Sequence, residues 1–266
     1  MQECVADCGS EQFCCSYNLF NDASLNSTRV TIPSEFGPLD GFLMRNINSS
    51  SSQPPLTILY SHGSGWNVAV QYRVVRYAFL LSLGNVQVLT YDYAGYGASP
   101  GDVNEENVKK SSQAALSWLG SELGVQPSNV TLLGRSLGGA VTASLVKHVH
   151  SMGDSVHSVV VESSWDYFSN VVAAFFPMTA FIPQSAYGDW WASADDIEPL
   201  SACYLQFHSE GDEQVPQSAA EGLFDAVTGA PKSCKVWVSA DEPKHDDPMP
   251  AVEKDALKMW FDSNRL

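Results

Sequence analysis

Basic residues are scarce in this sequence. Of its 266 residues only 14 are lysine or arginine, against 30 aspartates and glutamates, which gives a formal net charge of −16. A field of this sign repels phosphate backbones and anionic lipid headgroups. We therefore expect no nucleic-acid partner and no electrostatic docking on a membrane, and we expect a well-solvated acidic surface.

The sequence also lacks a long apolar run. No stretch approaches the roughly 20 apolar residues that a membrane-spanning helix needs, so no transmembrane segment is expected. The start, Met1-Gln2-Glu3-Cys4, has neither the basic nor the apolar region of a signal peptide, although a trimmed mature chain would look the same. Hydrophobic residues make up 44% of the chain, enough for the core of one large domain. We predict a cysteine-rich extension over residues 1–28 and one folded domain over residues 29–266.

Paired Cys-x-x-Cys motifs and clustered histidines are missing, so no metal site is predicted. The six cysteines form an N-terminal group and a distant pair: Cys4, Cys8, Cys14 and Cys15, then Cys203 and Cys234. Three interpretations stay open. The cysteines are free thiols, or they form two N-terminal disulfides of undetermined pairing plus a Cys203–Cys234 bridge, or the N-terminal thiols are S-acylated.

Three Asn-x-Ser/Thr sequons bear on the compartment, and they stand at Asn26, Asn48 and Asn129. Together with the even number of cysteines they favour an oxidising environment. The compartment stays unassigned: secretion or an endomembrane lumen is favoured, and a cytoplasmic protein with an S-acylated N-terminus is the alternative.

Apolar strand-like segments alternate with helical patterns along most of the chain. This alternation indicates an α/β fold with a mainly parallel sheet and helices on both faces. We predict eight strands, at residues 29–32, 39–44, 56–61, 86–91, 130–133, 156–161, 203–208 and 235–238, of which the first two form an antiparallel edge. Helices are predicted near 72–83, 105–123, 137–149 and 251–261. An aromatic insertion at about 165–199 is predicted to be a short cap, although some of its aromatic residues would suit an ordinary core.

The pentapeptide Gly134-Arg135-Ser136-Leu137-Gly138 matches the pattern Gly-x-Ser-x-Gly. Such a match is weak alone, but here a predicted strand precedes it and a predicted helix follows it. That context is typical of a nucleophile elbow, in which a strained strand-to-helix turn exposes the serine hydroxyl in the α/β-hydrolase fold. We therefore predict that Ser136 is a nucleophile.

A serine hydroxyl needs a base, and His245 is the best-placed histidine. It lies in the polar loop 240–250 after the last predicted strand, where the fold supplies its base. The other five histidines lie on the far part of a helix, in strands or in another loop: His148, His150, His157, His208 and His62. A solvated loop histidine is the alternative interpretation of His245.

The acid is expected between the serine and the histidine in sequence, in a loop after a strand. Asp212, preceded by Gly211, is the best-placed carboxylate, and Glu210 and Glu213 are the alternatives. Its role would be to hold the imidazole in the required tautomer and to stabilise the charged form.

An acyl-transfer site also needs donors for the developing oxyanion. The loop His62-Gly63-Ser64-Gly65 follows a predicted strand where the fold supplies one such donor. We predict that the backbone N–H groups of Ser64 and Leu137 form the oxyanion hole. A polar glycine turn is the alternative interpretation of the first loop.

Taken together, these motifs resemble those of the ABHD-type (alpha/beta-hydrolase domain-containing) serine hydrolases, including the branch with protein depalmitoylases. The resemblance covers about residues 39–262 and depends on Leu59-Tyr60-Ser61-His62-Gly63, Tyr91-Asp92-Tyr93-Ala94-Gly95-Tyr96-Gly97, Gly134-Arg135-Ser136-Leu137-Gly138-Gly139 and Gly211-Asp212-Glu213-Gln214-Val215-Pro216. It implies hydrolysis of ester, thioester or amide bonds through an acyl-enzyme and without a cofactor. Two positions depart from the family pattern: Ser64 replaces the asparagine of a common His-Gly-Asn loop, and Lys244 replaces the glycine before the base.

The sequence therefore predicts an esterase or thioesterase that acts on an apolar acyl group of a small-molecule or acylated substrate. The substrate-binding residues are expected to be aromatic: Trp66, Trp165, Phe175 and Phe176. Two alternatives remain, a serine peptidase on the same fold and a small-molecule-binding homologue without turnover. The sequence leaves protein partners undetermined.

Overall fold

The computed structural model describes residues 26–46, 52–176, 179, 186, 190–241 and 243–263. Contacts divide the chain into two compact units, Met1–Val130 and Thr131–Leu266. The four N-terminal cysteines and the sequon at Asn48 lie outside the described residues, as does most of the predicted extension.

The described residues of the first unit form four strands and two helices. They are β1 (Ser27–Ile32), β2 (Leu39–Arg45), β3 (Leu56–Ser61), α1 (Gln71–Ser82), β4 (Val86–Tyr91) and α2 (Glu105–Leu123). The strand order is β1-β2-β4-β3. β1 pairs with β2 and β2 with β4 in antiparallel fashion, whereas β3 and β4 are parallel. β1 starts at Ser27, so the first strand begins two residues earlier than predicted.

Local sequence explains the long helix α2 of this unit. Its N-cap, Asn104, accepts a hydrogen bond from the Asn107 N–H, and Glu105 and Glu106 occupy the first turn, where the helix dipole favours negative charge. Gly124 ends the helix in the left-handed conformation, with φ 66°, which glycine adopts without steric cost. The predicted helix at 105–123 is therefore present with the same bounds.

The second unit contains four parallel strands with helices between them. The described elements are β5 (Val130–Arg135), α3 (Leu137–Ser151), β6 (Ser158–Glu162), α4 (Phe168–Phe175), α5 (Ser193–Ile197), β7 (Cys203–Ser209), α6 (Gln217–Ala226), β8 (Lys235–Ala240) and α7 (Ala251–Ser263). The strand order is β5-β6-β7-β8, and β5, β6 and β7 consist almost wholly of buried residues. Because parallel strands point the same way, the loops that follow them leave one edge of this sheet.

The two units together contain the eight strands that the sequence predicts. β3 and β4 have the predicted bounds, and the bounds of the other strands differ by one or two residues. The difference is clearest for β6, which starts at Ser158 rather than at Val156. Within the predicted cap, the structure describes α4, α5 and an antiparallel bridge between Tyr167 and Ala192. That this segment is a cap over a site stays a prediction.

Cys203 and Cys234 form a disulfide in the second unit. Cys203 begins β7, and Cys234 ends a short 3-10 turn, Lys232–Cys234, directly before β8. The bridge thus joins the N-terminal ends of two neighbouring parallel strands. It closes a loop with a sequence separation of 31 residues, for which chain entropy predicts a stabilisation of about 3–4 kcal/mol.

We predict that Cys203→Ser lowers the free energy of unfolding by about 2–4 kcal/mol, because the unfolded chain regains the entropy of the open loop. Urea titration of the variant and of the wild type measures the difference. Cys234→Ser should give the same loss, and a reductant should destabilise the wild type but neither variant further. Equal stability of the wild type in oxidising and reducing buffer would contradict the prediction.

Candidate active site

Ser136 occupies a strained turn between β5 and α3. Its φ is 55° and its ψ −122°, which is unusual for a residue with a side chain. The Ser136 N–H donates to the Glu162 carbonyl at 2.8 Å, and the Ser136 carbonyl accepts from the Gly139 N–H at 2.8 Å. The predicted elbow therefore has the backbone conformation that the Gly-x-Ser-x-Gly pattern requires.

Glycines on either side make this turn possible. A Cβ added to Gly134 would collide with the backbone of Gly138, and one added to Gly139 would collide with the Ser164 side chain. The strand and the helix approach each other so closely that only hydrogen atoms fit at these positions. Both glycines are thus required by packing.

His245 lies between Ser136 and Asp212. Its Nε2 is 3.0 Å from Ser136 Oγ, and its Nδ1 is 2.8 Å from Asp212 Oδ2. All three side chains are buried or nearly so. A carboxylate can only accept, so Nδ1 carries a hydrogen and Nε2 is free to accept the hydroxyl proton of Ser136. This arrangement can take a proton from Ser136 and return it to a leaving group.

The Asp212 carboxylate is held by two backbone amides as well as by His245. Its Oδ1 accepts hydrogen bonds from Gln214 N at 2.9 Å and from Val215 N at 2.8 Å. Burial acts to raise the pKa of Asp212, but the hydrogen bond and charge of His245 and the two amides outweigh it, and the pKa lies below its ordinary value. Asp212 is therefore a carboxylate over the whole neutral range.

The backbone of the His245 loop has anchors that the sequence did not reveal. Arg135, directly before Ser136, donates from Nη2 to the His245 carbonyl oxygen. The His245 N–H donates to Glu213 Oε2 at 3.2 Å, and Ser209 Oγ donates to the Pro243 carbonyl oxygen. Glu213, considered above as an alternative acid, thus contacts His245 at its backbone N–H. An arginine inside the elbow was the only signal in the sequence for these contacts.

His208 is a second buried histidine near Asp212, and it was rejected above as the base. It lies in β7, and its ring centroid is 6.2 Å from that of Trp237. Burial lowers its pKa, with the charge of Asp212 opposing and that of His245 adding to the effect. His208 is therefore neutral at pH 7.

The predicted oxyanion donors lie in different units. Leu137 is the first residue of α3, and its N–H is one of those that a helix leaves without an internal acceptor. Ser64 follows β3 in the first unit and is exposed. Their shared role stays a prediction.

The four aromatic residues predicted to bind substrate have different environments. Trp165 is only 5% exposed, and its ring centroid is 5.4 Å from that of Phe168. Phe175 and Phe176 are 54% and 65% exposed at the end of α4. Trp66 is half exposed, in the loop after β3, with φ 60°. Sequence alone could not separate the buried aromatic side chain from the exposed ones.

The described residues contain neither a cluster of metal ligands nor a membrane-spanning helix. In that part of the chain no group of three or more His, Cys, Asp or Glu side chains could hold a metal ion. None of the helices described there is long and apolar enough to cross a membrane.

The alpha/beta hydrolase family model matches residues 58–261, which is most of the chain. The chain belongs to the alpha/beta hydrolase family. This membership confirms the predicted fold class and agrees with the resemblance drawn from the motifs.

Several relatives can be named. Protein bem46 of Schizosaccharomyces pombe is 29% identical over 195 residues, which cover 73% of this chain and 63% of bem46. The lysophosphatidylserine lipase ABHD12 of Danio rerio is 29% identical over 189 residues, covering 66% of this chain and 47% of that protein. The chain thus spans less than two thirds of the length of either relative.

Solved structures share the fold at lower sequence identity. The esterase Pf2001 of Pyrococcus furiosus has a TM-score of 0.68 and 15% identity, with 91% of this chain and 94% of the esterase covered. Est1E of Butyrivibrio proteoclasticus, solved with ferulic acid bound, has a TM-score of 0.68 and 16% identity, with 88% and 98% covered.

We predict that Gly134→Ala destabilises the protein by about 3 kcal/mol or more, since the new methyl group meets backbone that cannot move aside. Gly120→Ala is the matched control. In α2 its Cβ would meet only the Val125 carbonyl oxygen, at 3.8 Å, so alanine should stabilise the helix by about 0.5–1 kcal/mol. Urea unfolding measures both variants, and a Gly134→Ala protein as stable as the wild type would contradict the steric argument.

The lowered pKa of Asp212 predicts a pH-dependent contribution to stability. A depressed carboxyl pKa stabilises the fold above the unfolded value of about 3.9, and this stabilisation is lost as the pH falls through the folded pKa. The gap in unfolding free energy between the wild type and Asp212→Asn should therefore shrink as the pH falls below about 5 and on through the folded pKa. Asp241→Asn, at an exposed position, is the control. A difference in unfolding free energy that stays constant as the pH falls would contradict the lowered pKa of Asp212.

Proposed function

We propose that this protein is a serine hydrolase that cleaves carboxylic ester or thioester bonds through an acyl-enzyme. The observation that supports the proposal most is the continuous line of contacts from Ser136 Oγ to His245 and from His245 to Asp212. Membership of the alpha/beta hydrolase family, with a lipase and esterases among its relatives, supports it independently.

In the first half of the reaction, Ser136 Oγ attacks the carbonyl carbon while His245 Nε2 takes the hydroxyl proton. Asp212 holds the Nδ1–H and stabilises the imidazolium ion. The Leu137 and Ser64 amides bind the tetrahedral oxyanion. Collapse of this intermediate breaks the bond to the alcohol or thiol, which takes the proton from His245, and the acyl group stays on Ser136.

In the second half, water replaces the leaving group. His245 takes a proton from the water as its oxygen attacks the acyl carbon, and a second tetrahedral intermediate forms on the same two amides. Its collapse returns the proton to Ser136 Oγ and releases the carboxylic acid. The cycle consumes one water and leaves the enzyme unchanged, so no cofactor enters it.

The acyl group is proposed to be apolar. Phe175 and Phe176, together with Trp66, are large aromatic side chains left at least half exposed. Burying them against an acyl chain would be favourable at about 25 cal/mol per Å² of apolar surface removed from water.

We predict that a fluorescent fluorophosphonate labels the wild type and not Ser136→Ala. His245→Ala should lose labelling as well, and its kcat should fall about 10⁴-fold or more, because no other group takes the proton. Asp212→Asn should lower kcat about 10⁴-fold, because the asparagine side chain favours the wrong imidazole tautomer. Ser121→Ala, at an exposed position on α2, is the matched serine control and should label normally.

Kinetics on matched ester, thioester and amide substrates with short and long acyl chains then define the reaction. Higher kcat/KM for apolar esters or thioesters supports the proposal, and faster cleavage of the amide would make the protein a peptidase. A folded wild type that neither labels nor turns over any ester would overturn the proposal in favour of a binding protein.

A further inference from the structure

A buried arginine lies beneath the loop that contains Ser64. Arg73 is on α1 and is only 1% exposed. Its guanidinium donates to three backbone carbonyl oxygens of this loop: from Nη2 to Gly63 at 3.0 Å and to Gly65 at 2.5 Å, and from Nη1 to Asn67 at 2.5 Å. The planar fork of an arginine can satisfy several acceptors at once, which a lysine ammonium does not do in a fixed geometry.

One of these carbonyls determines the direction of the Ser64 N–H. The Gly63 carbonyl and the Ser64 N–H belong to the same peptide unit, and in a trans peptide they point in opposite directions. Because Arg73 fixes the carbonyl oxygen, the Ser64 N–H points away from the buried guanidinium. Gly63 is buried whereas Ser64 is exposed, so the amide faces the open side of the loop.

His62 holds the same carbonyl from a second direction. Its Nδ1 is 2.7 Å from the Gly63 oxygen, and since a carbonyl can only accept, Nδ1 carries the hydrogen. Burial lowers the pKa of His62 and the charge of Arg73 lowers it further, while the nearby Asp92 carboxylate acts in the opposite direction. Both lone pairs of the Gly63 oxygen thus have donors, and the peptide unit cannot rotate without losing two hydrogen bonds.

Two residues that directly follow β4 hold the two ends of the loop. Tyr93 Oη donates to the His62 carbonyl oxygen at 2.7 Å, and the Val68 N–H donates to Asp92 Oδ1 at 2.9 Å. Asp92 is wholly buried, and its Oδ1 is 3.4 Å from His62 Nε2. The loop is therefore fixed at both ends, and Arg73 fixes its middle.

We propose that Arg73 is a positioning residue that orients the Ser64 N–H for oxyanion binding. The proposal rests on the proposed function, in which this amide is one of two oxyanion donors. Arg73 touches neither substrate nor reacting atoms and acts through the backbone of the loop. Its removal would take one hydrogen-bond donor from each of three carbonyls and leave the Gly63 carbonyl with His62 alone, so that the 63–64 peptide could turn.

The test uses Arg73→Lys and Arg73→Met, with Arg76→Met as the matched control, because Arg76 is a largely buried arginine on the same helix. Rates are measured on a p-nitrophenyl ester well below each variant's Tm and are divided by the active sites counted with a fluorophosphonate. We expect kcat to fall about 10–100-fold in the Arg73 variants with little change in KM, since misplacing one donor weakens only the transition state. Arg76→Met should retain its kcat.

Two further readouts separate positioning from simple destabilisation. Affinity for a trifluoromethyl ketone, which forms an oxyanion adduct, should fall by the same factor as kcat/KM. Hydrogen exchange of the peptide that contains residues 62–67 should accelerate in Arg73→Lys and not in Arg76→Met, and this readout needs no turnover.

Unchanged kcat per active site, or unchanged exchange, in Arg73→Lys would overturn the proposal even if Arg73→Met fails to fold. A wild type that does not label would instead count against the proposed function, and the exchange measurement would still decide whether Arg73 fixes the loop.

Discussion

Ser136 has a positive φ, and the rest of the candidate site depends on how the protein tolerates that conformation. Such a conformation costs about 1–3 kcal/mol and persists only where its surroundings enforce it. Here the enforcement is steric and polar together: Gly134 and Gly139 let strand and helix touch, and the Glu162 carbonyl holds the Ser136 N–H. A side chain at either glycine would push the helix away, and the hydroxyl would lose its distance to His245.

His245 is held by contacts to its backbone, whereas Asp212 is held by contacts to its side chain. Asp212 receives two amides and the imidazole on its carboxylate. His245 lies on a loop, and Arg135 and Glu213 bind its carbonyl and its N–H. Arg135 directly precedes Ser136 in sequence, so one short segment both positions the Ser136 hydroxyl and holds the loop that contains His245. A direct contact thus links this segment to the His245 loop, although 109 positions of sequence separate Ser136 from His245.

The sequence could reveal the strands, the elbow and the order of Ser136, Asp212 and His245, because each has a periodic or motif signal. It could not reveal Arg135 or Arg73 as anchors. Both arginines donate to backbone carbonyl oxygens. Every residue has such an oxygen, so the sequence cannot indicate which residues accept these hydrogen bonds. The sequence also could not tell which aromatic residues of the insertion are buried. Trp165 is buried and Phe175 is exposed, because exposure depends on tertiary packing and not on residue type.

The disulfide between Cys203 and Cys234 lies at the opposite ends of β7 and β8 from the loops of Asp212 and His245. Six residue pairs, from Tyr204–Lys235 to Ser209–Ala240, connect the two ends. Sliding one strand past the other by a single residue would displace its loop by about 3.3 Å, whereas a hydrogen bond tolerates only a few tenths of an ångström. The disulfide therefore restrains the register of β7 against β8 from the ends remote from Asp212 and His245, and it adds to the restraint of the six residue pairs.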